Sequence, residues 1–117
     1  SATLWAYYGA LIDAKQFEKL APQLDELIAK GARTDAAKAQ ILRGDIKMAQ
    51  GQIEGAAMDY LRSAILFESE KTVQPEALFK AGEALDKLRD PRAKDMYRKV
   101  AQEYAGTPFA QKAQGKF

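Results

Sequence analysis

The sequence predicts an all-α fold, and three observations lead to this prediction. Alanine occupies 22 of the 117 positions, whereas Val, Ile and Thr together occupy 12; alanine favours helices and β-branched residues favour strands. Apolar residues recur at intervals of three and four, as in Ala57, Leu61, Ala64 and Ile65. Glycines and prolines separate these patterns. We therefore expect one domain of seven helices over residues 1–117, with short connections.

The helix ends follow from capping residues. Gly31, Gly51 and Gly106 each come directly after an apolar pattern, where a C-terminal cap is expected. The predicted helices are residues 2–14, 17–30, 35–50, 53–69, 75–88, 91–104 and 108–115.

Prolines mark where helices begin. Asp90 and Thr107 each precede a proline, and proline is favoured in the first turn because its missing N–H has no partner there. Pro22 instead falls inside the second pattern. It predicts either a kink or a later start near Leu20, and the sequence leaves both outcomes open.

The helix pairs repeat one another. Gly9, Gly44 and Gly82 lie in the middle of each first helix, 35 and 38 residues apart. A glycine inside a helix costs about 1 kcal/mol relative to alanine, so three at matched positions indicate close helix packing. The second helices match at Leu20, Ala56 and Ala93, and again four residues later at Leu24, Tyr60 and Tyr97. We expect the glycine of the first helix and the alanine of the second to let the two helices cross tightly, and the aromatic residue one turn later to fill the space beside them.

These positions resemble the tetratricopeptide repeat family, whose unit is a helix pair of about 34 residues. The residues that carry the resemblance are Trp5, Gly9, Gly44, Gly51, Ala56, Tyr60, Gly82, Leu85, Ala93 and Tyr97. The resemblance implies a right-handed α-α superhelix of about three helix hairpins, at residues 2–31, 35–69 and 75–106, followed by a C-terminal capping helix at 108–116.

Residues 104–113 resemble a junction in bacterial cell-envelope members of that family. This narrower resemblance implies a periplasmic or envelope-associated protein, and a cytoplasmic location is the alternative.

The family resemblance also implies a function, which is to bind a peptide or helix of a partner protein on a concave face lined by the first helix of each pair. The implied groove positions are Ala6, Ala10, Asp13, Lys38, Ile41, Asp45, Met48, Phe79, Glu83 and Asp86. The chain has no Asn, which argues against the family's carboxylate clamp. Because most charged positions are acidic, we expect a basic or amphipathic segment as partner. The alternative is a structural spacer from a longer repeat array.

Composition excludes several other functions. The chain has no Cys and no His, so it cannot form a zinc finger, a disulfide, a thiol nucleophile or a catalytic imidazole. Only carboxylate pairs, such as Asp45 with Glu83 or Glu83 with Asp86, suggest catalysis, and such pairs on helix surfaces are usually solvated. We expect no enzyme activity, no cofactor, no metal and no small-molecule substrate. No apolar run is long enough to span a membrane.

The charge distribution leaves a further alternative. Residues 1–86 hold 10 Lys/Arg against 13 Asp/Glu, whereas residues 87–117 hold 8 against 3. A nucleic-acid site is the less favoured interpretation of the basic part, through Lys87, Arg89, Arg92, Lys94, Arg98 and Lys99. The last helix is either a cap, with Phe109 packing on Tyr97 or Val100, or the start of another repeat. In the second case Phe109 and Phe117 would be exposed and would favour self-association.

Overall fold

The computed structural model describes residues 2–117, and within that range it contains helices and no strand. The all-α prediction is confirmed, and each helix end lies within three residues of its predicted position. The helices are α1 (Ala2–Asp13), α2 (Phe17–Lys30), α3 (Arg33–Ala49), α4 (Ile53–Leu66), α5 (Gln74–Lys87), α6 (Arg92–Glu103) and α7 (Pro108–Ala113).

Helix α2 begins at Phe17 and continues through Pro22, so it does not start late. Proline removes one hydrogen bond of the helix. The helix is nevertheless held on both sides of the proline, because Leu20 and Leu24 are fully buried against the other helices of the N-terminal core.

The helices form two layers. Each helix packs on the next one along the chain, and α1, α3, α5 and α7 also contact one another in that order. Within residues 2–117, α2, α4 and α6 do not pack on each other. The odd-numbered helices therefore form a continuous layer, while the even-numbered helices stand apart on its other side.

The predicted glycine packing is confirmed in two of the three helix pairs. A Cβ added at Gly44 would lie 2.5 Å from Cε1 of Tyr60, and one added at Gly82 would lie 2.7 Å from Cε1 of Tyr97. Both rings are buried. At Gly9 no heavy atom lies within 4 Å of the added Cβ, so the explanation is wrong for the first pair.

Helices α1, α3 and α5 end in the same turn. A left-handed residue follows the last helical turn at Lys15, Gly51 and Arg89, with φ of 60°, 78° and 57°. The next residue in each case donates its N–H to a carbonyl five residues earlier, at 2.8–2.9 Å: Gln16 to Leu11, Gln52 to Lys47 and Asp90 to Leu85. This is a Schellman cap, and the glycine signal revealed only one of the three. Gly31 is extended rather than left-handed, because the chain leads directly into α3.

Helix α7 packs on α5 and α6 at the end of the stack. Its start is fixed by Thr107, whose Oγ1 accepts the N–H of Ala110 at 3.2 Å. Phe109 packs on Phe79, with ring centroids 5.8 Å apart. Phe109 is partly buried against the core cluster that contains Tyr97 and Val100, and α7 covers the last helix pair.

Candidate functional site

The odd-numbered layer carries a groove between α3, α5 and the C-terminal segment. It consists of two cavities of about 410 and 320 Å³ that share Glu83 and Lys87. Its lining residues are Asp45, Met48, Ala49, Tyr60, Lys80, Glu83, Asp86, Lys87, Tyr97 and Lys116. We refer to this set as the groove. It brings together four of the residues predicted from sequence, namely Asp45, Met48, Glu83 and Asp86.

The other predicted site residues lie outside the groove. Ile41 and Phe79 are 2% and 5% exposed and belong to the core, so they offer almost no surface to a partner. Lys38 lies on the N-terminal side, with its Nζ 5.4 Å from the ring centroid of Trp5. Asp13 is exposed at the end of α1, and Ala6 and Ala10 are exposed on the same helix.

Asp45 is occupied by contacts within the chain. Its two oxygens lie 3.1 and 3.0 Å from Nζ of Lys80, and Oδ1 accepts the hydroxyl hydrogen of Tyr60. Lys80 also contacts Glu76 at 2.7 Å. Burial raises the pKa of Asp45, and Lys80 offsets part of that rise. Burial alone would lower the pKa of Lys80, but Asp45 and Glu76 together raise it. Asp45 therefore links α3, α4 and α5 and is not a free ligand for a partner.

Glu83 and Asp86 differ from Asp45 because both are exposed, and neither forms an ion pair in the described part of the chain. Their charges act on two tyrosines that line the groove, Tyr97 and Tyr60. Burial raises the pKa of Tyr97, the charges of Asp86 and Glu83 raise it further, and it reaches about 12. Burial and then Asp45 also raise the pKa of Tyr60, with a smaller contribution from Glu83. The groove lining holds three carboxylates (Asp45, Glu83 and Asp86) and three lysines (Lys80, Lys87 and Lys116). Of these carboxylates, Glu83 and Asp86 are the two that no ion pair occupies in the described part of the chain.

A buried charge cluster, which the sequence analysis missed, lies between α3 and α4. Asp59 is fully buried. Its Oδ1 accepts hydrogen bonds from Nε2 of Gln40 at 2.9 Å and from Nη2 of Arg43 at 3.0 Å. Nζ of Lys47 lies 2.8 Å from Oδ2, as an ion pair without hydrogen-bond alignment. Arg62 is more distant, at 3.4 Å.

A signal for this cluster was present on α3. Gln40, Arg43 and Lys47 follow one another at intervals of three and four, which places three donors on one side of the helix. Their acceptor, Asp59, was not predictable from the sequence. It lies in α4 near several small residues, and its charge would assign it to the protein surface. Arg43 also reaches Asp25 of α2 at 3.0 Å. The cluster joins three helices and is structural in character.

Gln74 is a second buried polar residue that sequence reasoning passed over. It is the first residue of α5 and is fully buried. Its Nε2 donates to the carbonyls of Ser63 and Phe67 at 3.0 and 2.8 Å. These carbonyls lie at the C-terminal end of α4, and each also accepts one backbone N–H, from Phe67 and Glu70 respectively. The side chain thereby caps α4 from the following helix.

The groove contains the carboxylates that the sequence analysis considered for catalysis. Asp45, one member of a considered carboxylate pair, is already bound to Lys80 and Tyr60. No group of three or more acidic side chains in the described range is placed to hold a metal ion. Among the basic C-terminal residues, three are paired with acids, at 2.8 Å (Arg92–Asp90), 3.2 Å (Arg98–Asp95) and 3.6 Å (Lys99–Glu68). That surface is mixed in charge rather than uniformly basic.

No protein-family model, curated protein or solved structure gives a significant match to this chain. Among the helices described, none is both long enough and apolar enough to cross a membrane.

Proposed function

We propose that this chain is a non-catalytic protein-interaction module whose groove binds a basic or amphipathic segment of a partner protein. The observation that carries the proposal is the pair of unpaired carboxylates, Glu83 and Asp86, on a groove that also exposes apolar surface at Met48. A Lys or Arg side chain of a partner would form an ion pair with these carboxylates, while apolar residues one helical turn away would contact Met48.

We propose further that the helices form a tetratricopeptide-like right-handed superhelix. Two features support it. The odd-numbered helices contact one another while the even-numbered helices stand apart, as expected when a stack curves with the odd-numbered layer inside. The pairs α3–α4 and α5–α6 also share the same glycine–tyrosine contact. The groove would then lie on the concave face.

A periplasmic or envelope-associated location belongs to the same proposal, with the cytoplasm as its alternative. Its support is the resemblance of residues 104–113 to a junction in envelope proteins. In that segment Thr107 caps α7 and Pro108 occupies its first position, which gives a local reason for the Thr-Pro pair in any compartment. Fractionation of the source cells, with antibody detection, tests the location.

The function is tested by selecting helical peptides from a displayed random library with the 117-residue chain as bait. We expect enrichment of peptides that combine Lys or Arg with apolar residues at intervals of three or four. A Glu83→Lys/Asp86→Lys variant should bind the selected peptides at least about 10-fold more weakly. We leave Asp45 unchanged, because its replacement would disturb the contacts with Lys80 and Tyr60 and confuse binding with stability.

The matched control is Glu26→Lys/Glu103→Lys, which makes the same change in net charge at exposed positions of α2 and α6. It should bind with wild-type affinity, measured by fluorescence anisotropy at two salt concentrations. Equal binding by both double variants would refute the groove. Failure to enrich any peptide would favour a structural spacer.

A further inference from the structure

The outer surface of α4 carries large apolar side chains that no other helix covers. Met58, Ile65 and Leu66 are 50%, 69% and 61% exposed, and Leu61 is partly exposed beside them. Single exposed apolar residues are ordinary, but several on one helix form a contiguous patch. Beside the patch is a cavity of about 400 Å³, lined by Glu54, Ala57, Met58, Leu61, Leu85, Leu88, Asp90 and Arg92. None of these residues lines the groove.

Two charges flank the patch in a regular row. Glu54, Met58 and Arg62 follow one another at intervals of four, so they lie along one side of α4. Glu54 is exposed and, within residues 2–117, has no ion pair. Arg62 is 47% exposed, and its acidic partner Asp59 is held more closely by Arg43 and Lys47. Both charges are therefore available to a partner at little cost to the fold.

The row of Glu54, Met58 and Arg62 is complementary in charge to the same row of a second, antiparallel copy. Glu54 and Arg62 each lie about 6 Å along the helix axis from Met58, on opposite sides. If two copies of α4 cross in antiparallel fashion around a two-fold axis at Met58, the Glu54 of one copy stands level with the Arg62 of the other. The second ion pair follows by symmetry, as in isologous dimers.

We propose that the outer face of α4 is a homodimer interface, in which Met58 packs on its symmetry mate and Glu54 pairs with Arg62 of the second copy. Ile65 and Leu61 extend the apolar contact on either side. The interface lies apart from the groove, so each dimer would present two free grooves, and a partner with two binding segments would gain avidity.

The first test measures the mass of the full chain by sedimentation equilibrium from about 10 μM to about 1 mM. We expect a reversible dimer of twice the 12.9-kDa monomer mass. Met58→Lys places two ammonium groups at the two-fold axis and should raise the dimer dissociation constant at least about 100-fold. The control Glu26→Lys, on the exposed face of α2, should leave the constant unchanged.

The second test exchanges the charges. Glu54→Arg alone and Arg62→Glu alone should each weaken self-association, because each brings like charges together. An equal mixture of the two variants should form a heterodimer within about threefold of the wild-type dissociation constant, since one ion pair is then the native Arg62–Glu54 pair and the other is restored with its charges exchanged. Far-UV circular dichroism checks the fold of each variant. If Arg62→Glu does not fold, the dimer dissociation constants of Glu54→Arg and Met58→Lys test the proposal instead.

Three results would overturn the proposal. They are a wild-type chain that stays monomeric over the whole concentration range, a Met58→Lys variant that dimerises like the wild type, and a charge-exchanged mixture no tighter than its separate components. A monomeric chain would leave this face to a different protein.

Discussion

At the scale of single residues, Asp59 shows what a buried charge requires. A carboxylate out of water is tolerated only when opposite charges and hydrogen bonds replace its hydration. Asp59 has both, from Gln40, Arg43 and Lys47. The three donors are on α3 and the acceptor is on α4, so the contacts specify how this pair of helices fits together.

We predict that Asp59→Asn lowers the free energy of unfolding by about 3 kcal/mol, because it leaves Arg43 and Lys47 without their shared anion. Urea denaturation followed by circular dichroism measures the change. The control is Asp25→Asn, which removes the other partner of Arg43 at a side chain that is 59% exposed, and it should cost no more than about 0.5 kcal/mol. Equal losses in the two variants would show that the burial of Asp59 is not what matters.

Tyr97 and Lys80 make a prediction about alkaline pH. The pKa of Tyr97 in the folded protein is about 12, against an ordinary value of 10.0. The unfolded chain therefore loses this proton first, so the stability conferred by neutral Tyr97 is complete below pH 10.0 and is lost as the pH rises towards 12. Lys80, with a pKa raised above 10.5, acts in the same direction. Stability should fall steeply in this range.

The measurement is urea denaturation in steps across that alkaline range, with Tyr97→Phe for comparison. When one group is still protonated in the folded protein but fully deprotonated in the unfolded chain, the free energy of unfolding changes by about 1.4 kcal/mol per pH unit. The slope should therefore become shallower in Tyr97→Phe, which has no phenol proton to lose. An unchanged slope would contradict the raised pKa of Tyr97.

At the scale of helix pairs, the contact between a glycine and a tyrosine sets how closely two helices approach. Alanine in place of Gly82 gains about 1 kcal/mol of helix propensity. The added methyl group would meet the Tyr97 ring at 2.7 Å, and overpacking of this kind costs about 1–3 kcal/mol or more. We predict a net loss of stability for Gly82→Ala, whereas Gly9→Ala should be neutral or stabilising because the space around it is open.

Thermal denaturation of the two variants tests this difference, and Gly82→Ala/Tyr97→Leu provides the rescue. It replaces the ring by leucine, the residue type that the first pair has at Leu24, and so makes room for the added methyl group. The double variant should therefore lose less stability than the sum of its two single changes. Strict additivity would mean that the ring and the glycine do not interact.

The sequence predicts the helices well because their signals are local. Apolar spacing and capping residues act within a few positions of the chain, and Thr107 caps α7 as predicted. The features that the sequence analysis missed have no such local signal in their own residues. Gln74 caps the end of α4 from another helix. Arg89 adopts a left-handed conformation, which the sequence would have predicted if a glycine stood at this position.

At the scale of the whole molecule, the groove was only partly predictable. The family resemblance implied ten groove positions, and four of them, Asp45, Met48, Glu83 and Asp86, lie on one surface. It could not show that Ile41 and Phe79 turn into the core, since helix rotation depends on the packing of neighbouring helices. Nor could it show that Lys80 pairs with Asp45, whereas Glu83 and Asp86 have no ion pair in the described part of the chain.

The two proposed surfaces lie on separate layers of the molecule, which makes them distinguishable. The groove is lined mainly by α3 and α5 of the odd-numbered layer, and the dimer face is the outer side of α4 in the even-numbered layer. A binding partner can therefore be placed on one surface or the other by recording which residues respond to it.

The most direct test of the central claim is an NMR titration of the ¹⁵N-labelled chain with a basic peptide selected from the library. The groove predicts that the largest shift changes fall on residues 45–49, 80–87 and 116, and that they vanish in Glu83→Lys/Asp86→Lys. Changes centred on residues 54–66, or changes that persist in that variant, would contradict the account.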